Sequence, residues 1–437
     1  MTDAPVVDDP ARIVELSPEE PAVITGSREQ LLYLLAEAAE IEHRLMACYL
    51  YAAFSLKRPG EPGLDACEAD TVGRWRAVIM DVAVQEMGHL MIVANLTVAC
   101  GGRPHFGRPN FPISPGYFPS GVVVRLAGFS RATLDHFIFL ERPQGVDGTD
   151  PDAFDQQDYS RAPTIVGLMP SAQDYTTIGH LYESIRANLD DLATRLGGDA
   201  LLIGPVDGQV GPEVMDLPGV TPIDSLDAAR AAIDTVIDQG EGSKSDREES
   251  HYRSFLAIRD EFDALRAANP DFAPAWPVAD NPVLRRPPSP DDKVLVDDPD
   301  AARLLDFGCA AYGLLLRLLV QCFGRGDAAE ADQRRLMDAA IALMHVVGAI
   351  GDALARRPAS AQAPGVNAGL SFTMLRGVEP LLRGRAETRL LREQLQRLVD
   401  AVPTLPPVPG LERAGLGALA ERFAVGVDPD ADEPTAG

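Results

Sequence analysis

Apolar residues recur with a helical period along most of this chain, and the breaks in that period mark out its elements. Ser27-Arg-Glu-Gln30 has the form of a capping box, and Leu31, Leu32, Leu34, Leu35, Ala38, Ile41, Leu45 and Cys48 follow at helical spacing. This predicts a first helix running to about Lys57 and stopped by Pro59-Gly60. A second is predicted from about Thr71 to Cys100, closed by Gly101-Gly102 and Pro104. Between Ile79 and Ala94 it is apolar nearly all round, which places it inside a bundle.

From Arg103 to Tyr175 no long helical period persists. Val122 to Leu126 reads as a short strand, and Ser130 to Glu141 as a short helix ending before Arg142-Pro143. An insertion this long between bundle helices is expected to serve as a lid or pocket wall. A third long helix is predicted from Thr176 or Thr177 to Leu196, β-like pieces at Ala200 to Ile203, and a helix from Ser225 to Gln239. A further helix ends near Ala268. After a Pro-rich connector (271–297), the stretches Asp298 to Arg325, Ala328 to Arg357 and about Glu379 to Val402 read as three more apolar helices. The expected organisation is mainly α. A bundle over 27–270 carries the insertion 103–175, and a C-terminal helical layer covers 298–425. Residues 1–26 form a surface segment and 426–437 a disordered tail.

Polar residues at inward positions change this picture from packing to chemistry. Glu86 and His89 stand three apart in the most apolar helix, so a carboxylate and an imidazole share one face and can meet one ion. In that setting they must be paired, protonated or metal-bound. Glu248 and His251 repeat the spacing, while Glu42 and Glu183 each offer one carboxylate from another helix. The order Glu, Glu-x-x-His, Glu, Glu-x-x-His supplies four carboxylates and two imidazoles, the inventory of a carboxylate-bridged dimetal bundle. The plainer alternative is a set of hydrogen-bonded core pairs. His180 competes with Glu183 for its role, and Glu249 with Glu248. Tyr49, seven residues after Glu42, points to the same side, either as a core tyrosine bonded to a carboxylate or as a catalytic redox or supporting group. Glu40 should face away, and His43, His105, His136 and His345 are read as surface or satisfied core histidines.

Composition narrows the partners. With 437 residues, 46% apolar and 24% charged, the chain can bury a large core. A net charge of −26 argues against nucleic acid and anionic membrane as main partners. No apolar stretch of spanning length is free of a charge or turn residue. Five cysteines without a CxxC pair, and an N-terminus without a signal-peptide pattern, predict a reduced cytoplasmic setting. A homodimer is left open.

The segments EIEHRLMACYLYA, VIMDVAVQEMGHLMIVANLTVACGGRPHF, LERP, TIGHLYESI, ESHYRSFLAIRDEF and AGLSFTML occur here in that order. In them the chain resembles the ferritin-like domain proteins related to the iminophenyl-pyruvate dimer synthases of violacein and indolocarbazole pathways. The resemblance implies a ferritin-like four-helix bundle and oxidative chemistry on a small natural-product intermediate. The named synthases are longer and associated with haem, and His180 stands where that pattern leads one to expect an uncharged residue such as Gln. The leading expectation is a non-haem oxidase or oxygenase with two metal ions, Fe before Mn/Fe, and O₂ as co-substrate. The rivals are an imino-acid dimerising synthase, a non-catalytic metal-binding protein and a metal-free structural site.

Overall fold

The computed structural model describes residues 21–114, 116–117, 119–146, 154, 174–240, 250–286, 293–325, 330–374, 378–411 and 415–423. Two long antiparallel helices form its spine. Helix α1 (Arg28–Ser55) starts where Ser27 Oγ accepts from the Gln30 amide. Helix α2 (Ala66–Ala99) begins earlier than the apolar pattern indicates, because Asp65 and Glu68 build a reciprocal capping box there. It ends as expected, with Gly101 at φ +90°, a conformation that favours glycine.

Around this pair lie α3 (Arg131–Leu140), α4 (Ile178–Leu196), α6 (Leu226–Gly240) and α7 (His251–Ala268). Helix α4 packs on α1, α6 on α2 and α4, and α7 on α3 and α2. Ser130, Thr177 and Ser250 cap α3, α4 and α7 by accepting from backbone amides. The segment predicted as β-like near Ala200 is instead the single helical turn α5 (Gly198–Leu201). The strand expected at Val122 to Leu126 reduces to one bridge between Val124 and Ile113. Neither stretch has a neighbouring strand to complete a ladder; among the described residues the sheet consists of β1 (Pro282–Val283) beside β2 (Val294–Leu295).

The C-terminal layer comprises α8 (Pro299–Cys322) and α9 (Glu330–Leu354), which pack together, α10 (Arg385–Ala401) against α8, and the short α11 (Leu416–Arg422). It meets the bundle through α9 on α1. There a β-carbon on Gly351 would overlap the ring of Phe54, so the absent side chain sets how closely the layers approach. Arg356 binds Glu61 at 2.5 Å nearby. Helices α2, α8 and α9 are long and apolar enough to cross a membrane by length and composition; here their apolar faces join one continuous core with the rest of the chain. Residues 21–26, the described part of the expected surface segment, run along α4 exposed or half-buried apart from Thr25, whose amide and hydroxyl both donate to Asn188. The predicted tail, 426–437, lies outside the described residues.

At about 100° per residue, α1 presents two neighbouring stripes. Glu42, Leu45 and Tyr49 face α3, α4 and α6, whereas His43, Met46, Leu50 and Phe54 face the C-terminal layer. The α1–α2 pair is thus a shared wall with different chemistry on its two sides.

Candidate metal centre

Glu86 lies at the middle of a buried cluster. Its Oε2 is 3.1 Å from Nδ1 of His89, and its Oε1 is 2.9 Å from Nδ1 of His251. Glu42 joins on one side, 3.4 Å from His89 Nδ1, and Glu141 on the other, 3.6 Å from His251 Nδ1. Two three-residue groups result, Glu42–Glu86–His89 and Glu86–Glu141–His251, each with its ligand atoms within 4.8 Å of one another. All five side chains are at least 96% buried.

Each half is held in the same way. Tyr182 donates its hydroxyl hydrogen to Glu42, and Tyr49 donates to Glu141. Nε2 of His89 is 2.9 Å from Gln239 Oε1, and Nε2 of His251 is 2.9 Å from Gln85 Oε1. An amide oxygen only accepts, so each Nε2 carries a hydrogen, and each Nδ1 faces the carboxylates, where its own proton must leave before it can offer a lone pair to an ion. The imidazole centroids are 5.6 Å apart.

Helix geometry explains the residues involved. Residues 182 and 183 differ by about 100° around α4, so with Tyr182 turned inward Glu183 must turn outward. It is one-third exposed and paired with Arg186 at 2.6 Å, and the same arginine binds Asp234 of α6. Glu183 is therefore not part of the cluster. His180 does not replace it, since its Nε2 is 3.1 Å from the carbonyl oxygen of Pro21. The missing carboxylate comes from Glu141, the residue that ends α3. Tyr49 is inward as expected, but its partner is Glu141, and the phenol on Glu42 is that of Tyr182. Glu248 and Glu249 lie outside the described residues. The structure thus brings together Glu42, Tyr49, Glu86, His89 and His251 of the expected set, and adds Glu141, Tyr182, Gln85 and Gln239. Glu40 faces away, bound to Arg44 and His105.

The electrostatics are those of a site crowded with like charge. Burial, then the Glu86 charge, pushes the Glu42 carboxyl up to about 8. Burial acts to raise Glu86 as well, but the charges of His251 and His89 outweigh it and hold Glu86 well below the usual range. Both histidines resist the lowering effect of burial: Glu86 raises His89 well above its ordinary value and His251 to about 9. Without a metal, protons on Glu42 and on the two imidazoles offset the crowded negative charge.

Divalent cations suit this donor set better than protons do. Nδ1 of His251 is buried beside two carboxylates yet makes no hydrogen bond, because neither oxygen lies along its N–H direction. An orphaned nitrogen is costly in a hydrogen-bonded core but natural in a metal ligand. Carboxylate oxygens with imidazole nitrogens fit iron or manganese, one ion in each half, with Glu86 able to bridge them. A cavity of about 20 Å³ adjoins the cluster beside Leu45, Ile178 and Val236, room for one molecule of water or dioxygen size.

A helical bundle with a paired carboxylate–imidazole cluster between its helices defines a class of metal-site proteins. The ferritin-like family model matches residues 35–260, more than half of the chain, and the chain belongs to the ferritin-like family. Two natural-product enzymes are similar to it over nearly its whole length. The dichlorochromopyrrolate synthase of Lentzea aerocolonigenes is 27% identical over 94% of this chain and 42% of its own. The 2-imino-3-(indol-3-yl)propanoate dimerase of Chromobacterium violaceum is 27% identical over 92% of this chain and 39% of its own. The chain therefore spans about two fifths of the length of these relatives. A ferritin-like protein of Caulobacter vibrioides solved at 1.95 Å aligns with 80% of this chain and 100% of its own, at a TM-score of 0.49 and 19% identity.

Proposed function

We propose that this protein is an O₂-dependent oxidoreductase that uses two metal ions, iron before a manganese–iron pair, to oxidise a small organic intermediate of natural-product biosynthesis. The observation that carries the reading is Glu86 set between two imidazoles, each completed by a further carboxylate held by a tyrosine. Two reduced ions in these halves would supply electrons to O₂ as a pair.

The protein's own part is positional. Glu42, Glu86 and His89 would hold one ion, and Glu86, Glu141 and His251 the other. Tyr182 and Tyr49 keep one oxygen of each outer carboxylate occupied, leaving the second oxygen for an ion. Gln239 and Gln85 fix both rings with Nδ1 inward. Leu45, Leu140, Ile178 and Val236 exclude bulk water around the small cavity. The names of the two relatives support a small natural-product substrate.

A second reading, the joining of two imino-acid units, is favoured by one relative being a dimerase. Elemental analysis of chelator-free protein, followed by a substrate screen under O₂, tests both. About two Fe, or Fe with Mn, per chain and O₂ uptake with a small acceptor supports the oxidase. Product of doubled mass without O₂ uptake supports coupling. No transition metal after anaerobic Fe(II) loading rejects the dimetal site.

A further inference from the structure

On the other side of the α1–α2 wall lies a second chamber that the metal centre does not use. It measures about 270 Å³, near the lower end of small-molecule pockets, and lies between α1, α2, α8 and α9. Met46, Met80, Met87, Met91, Met215 and Met344 contribute to its lining, a flexible thioether surface able to adjust to an apolar body. Its solvent side carries Val84 and Ile341, 37% and 36% exposed, together with the exposed His345. Its inner side is formed by Tyr312 and Phe372, buried to 1% and 0% exposure. At Gly348, which also lines it, an added β-carbon would meet nothing within 4 Å, so the chamber has real unfilled space against α9.

Directly behind Tyr312 and Phe372, outside the chamber's own lining, stands a cation. Arg108, 8% exposed, donates Nη2 to the Tyr312 hydroxyl at 3.3 Å and to the Phe372 carbonyl at 2.6 Å. Its Nε is buried without a hydrogen-bond partner, and among the described residues no carboxylate pairs with it. The adjacent cation, Arg44, is already matched by Glu40. His43, bonded through Nε2 to Tyr312, also buries an unpartnered Nδ1. A guanidinium left in a core without an anion is expensive unless something supplies the charge.

We propose that this chamber binds a compact organic monocarboxylate, its apolar body among the methionines and its carboxylate toward Tyr312 and Arg108. The apolar walls select the body, and the unmatched guanidinium selects the acid over its neutral counterpart. The site stands independently of the dimetal reading, since none of these groups belongs to the cluster around Glu86.

Calorimetry on the metal-loaded full chain with octanoate and 1-octanol, probes of equal chain length, tests the assignment. Octanoate is expected to bind at least about tenfold tighter than the alcohol, as a charge-assisted contact implies. Gly348→Leu fills the open space with a good helix former and should abolish binding of both while leaving metal content unchanged. Arg108→Leu should erase the preference for the acid; should that variant fail to fold, Tyr312→Phe, which keeps the ring, should reduce the preference. Absence of octanoate binding, equal affinity for the two probes, or octanoate binding unaffected by Gly348→Leu would each overturn the proposal. Wild-type protein that binds octanoate through this site but takes up no metal would sink the dimetal reading alone.

Discussion

Tyr49 and Glu141, 92 residues apart in the chain, meet through a hydrogen bond from phenol to carboxylate inside the core. The contact ties the end of α3, within the long insertion, to the inward stripe of α1. The insertion therefore contributes a carboxylate to the buried cluster.

Removing single carboxylates should separate the two halves. Glu141→Ala is expected to lower bound metal from about two ions per chain to about one, and Glu42→Ala likewise, because each belongs to one half. Glu86→Ala should abolish binding of both. Glu183→Ala should leave metal content intact and change stability by no more than about 0.5 kcal/mol, as for a solvent-screened ion pair. Elemental analysis with thermal unfolding checks all four. Retention of two ions by Glu141→Ala would refute its place as a ligand.

The amide partners of the histidines should matter without touching metal. Gln85→Leu and Gln239→Leu free each Nε2 and let the ring turn, so affinity for Fe(II) should fall about 10- to 100-fold. Competition with a chromophoric chelator measures this, and an unchanged affinity in both variants would argue that packing alone holds the rings.

Affinity should also depend on pH in a defined direction. Glu42, with its pKa near 8, and His251, near 9, both carry a proton in the metal-free protein at neutral pH. An ion must displace these protons and that of His89, whose pKa the Glu86 charge also raises well above its ordinary value, so apparent affinity rises with pH across this range. The same shifts act on folding of the metal-free chain. Both groups bind protons more tightly folded than unfolded, so their contribution is full below 4.5 for Glu42 and below 6.5 for His251 and is lost progressively as pH climbs to about 8 and about 9. Metal titrations and melting curves between pH 6 and 10 would show both trends; affinity that fell with rising pH would contradict the assignment.

The junction of the two layers makes a fourth test. Gly351→Val would drive its side chain into the Phe54 ring and should cost about 1–3 kcal/mol, as overpacking does. Combining it with Phe54→Ala should recover part of that loss, measured as a double-mutant cycle in urea.

Most of the architecture was legible because helical periods were long and their stops were chemical. Gly101-Gly102, the serine and threonine caps, and the apolar run around Glu86 all mean in the structure what they mean in the sequence. The start of α2 was not, since Asp65 and Glu68 sit in a polar stretch where the apolar period is silent and only their mutual spacing announces the cap. Of the site, Glu86, His89 and Glu42 could be found because a charge on an apolar helix face is anomalous on its own, and His251 because it repeats the Glu-x-x-His spacing. Glu141 carries no such signal: it stands at a helix end beside Arg142-Pro143, a normal place for a polar residue, and only its approach to Tyr49 reveals its part. Glu183 misled for the opposite reason. It adjoins the inward Tyr182, and one residue of rotation is enough to put a carboxylate on the surface.

The shared position of Glu86 also has a consequence for the order in which the protein is made. His251 follows its α2 partner Gln85 by 166 residues. At about 5–20 residues per second, roughly 8–33 s of translation separate the two. Glu42, Glu86 and His89 are made at the start of that interval, while Tyr182 and Gln239, which hold two of them, come later within it and His251 closes it. The hairpin of α1 and α2 is thus made well before α4, α6 and α7, the helices that close over its inward face.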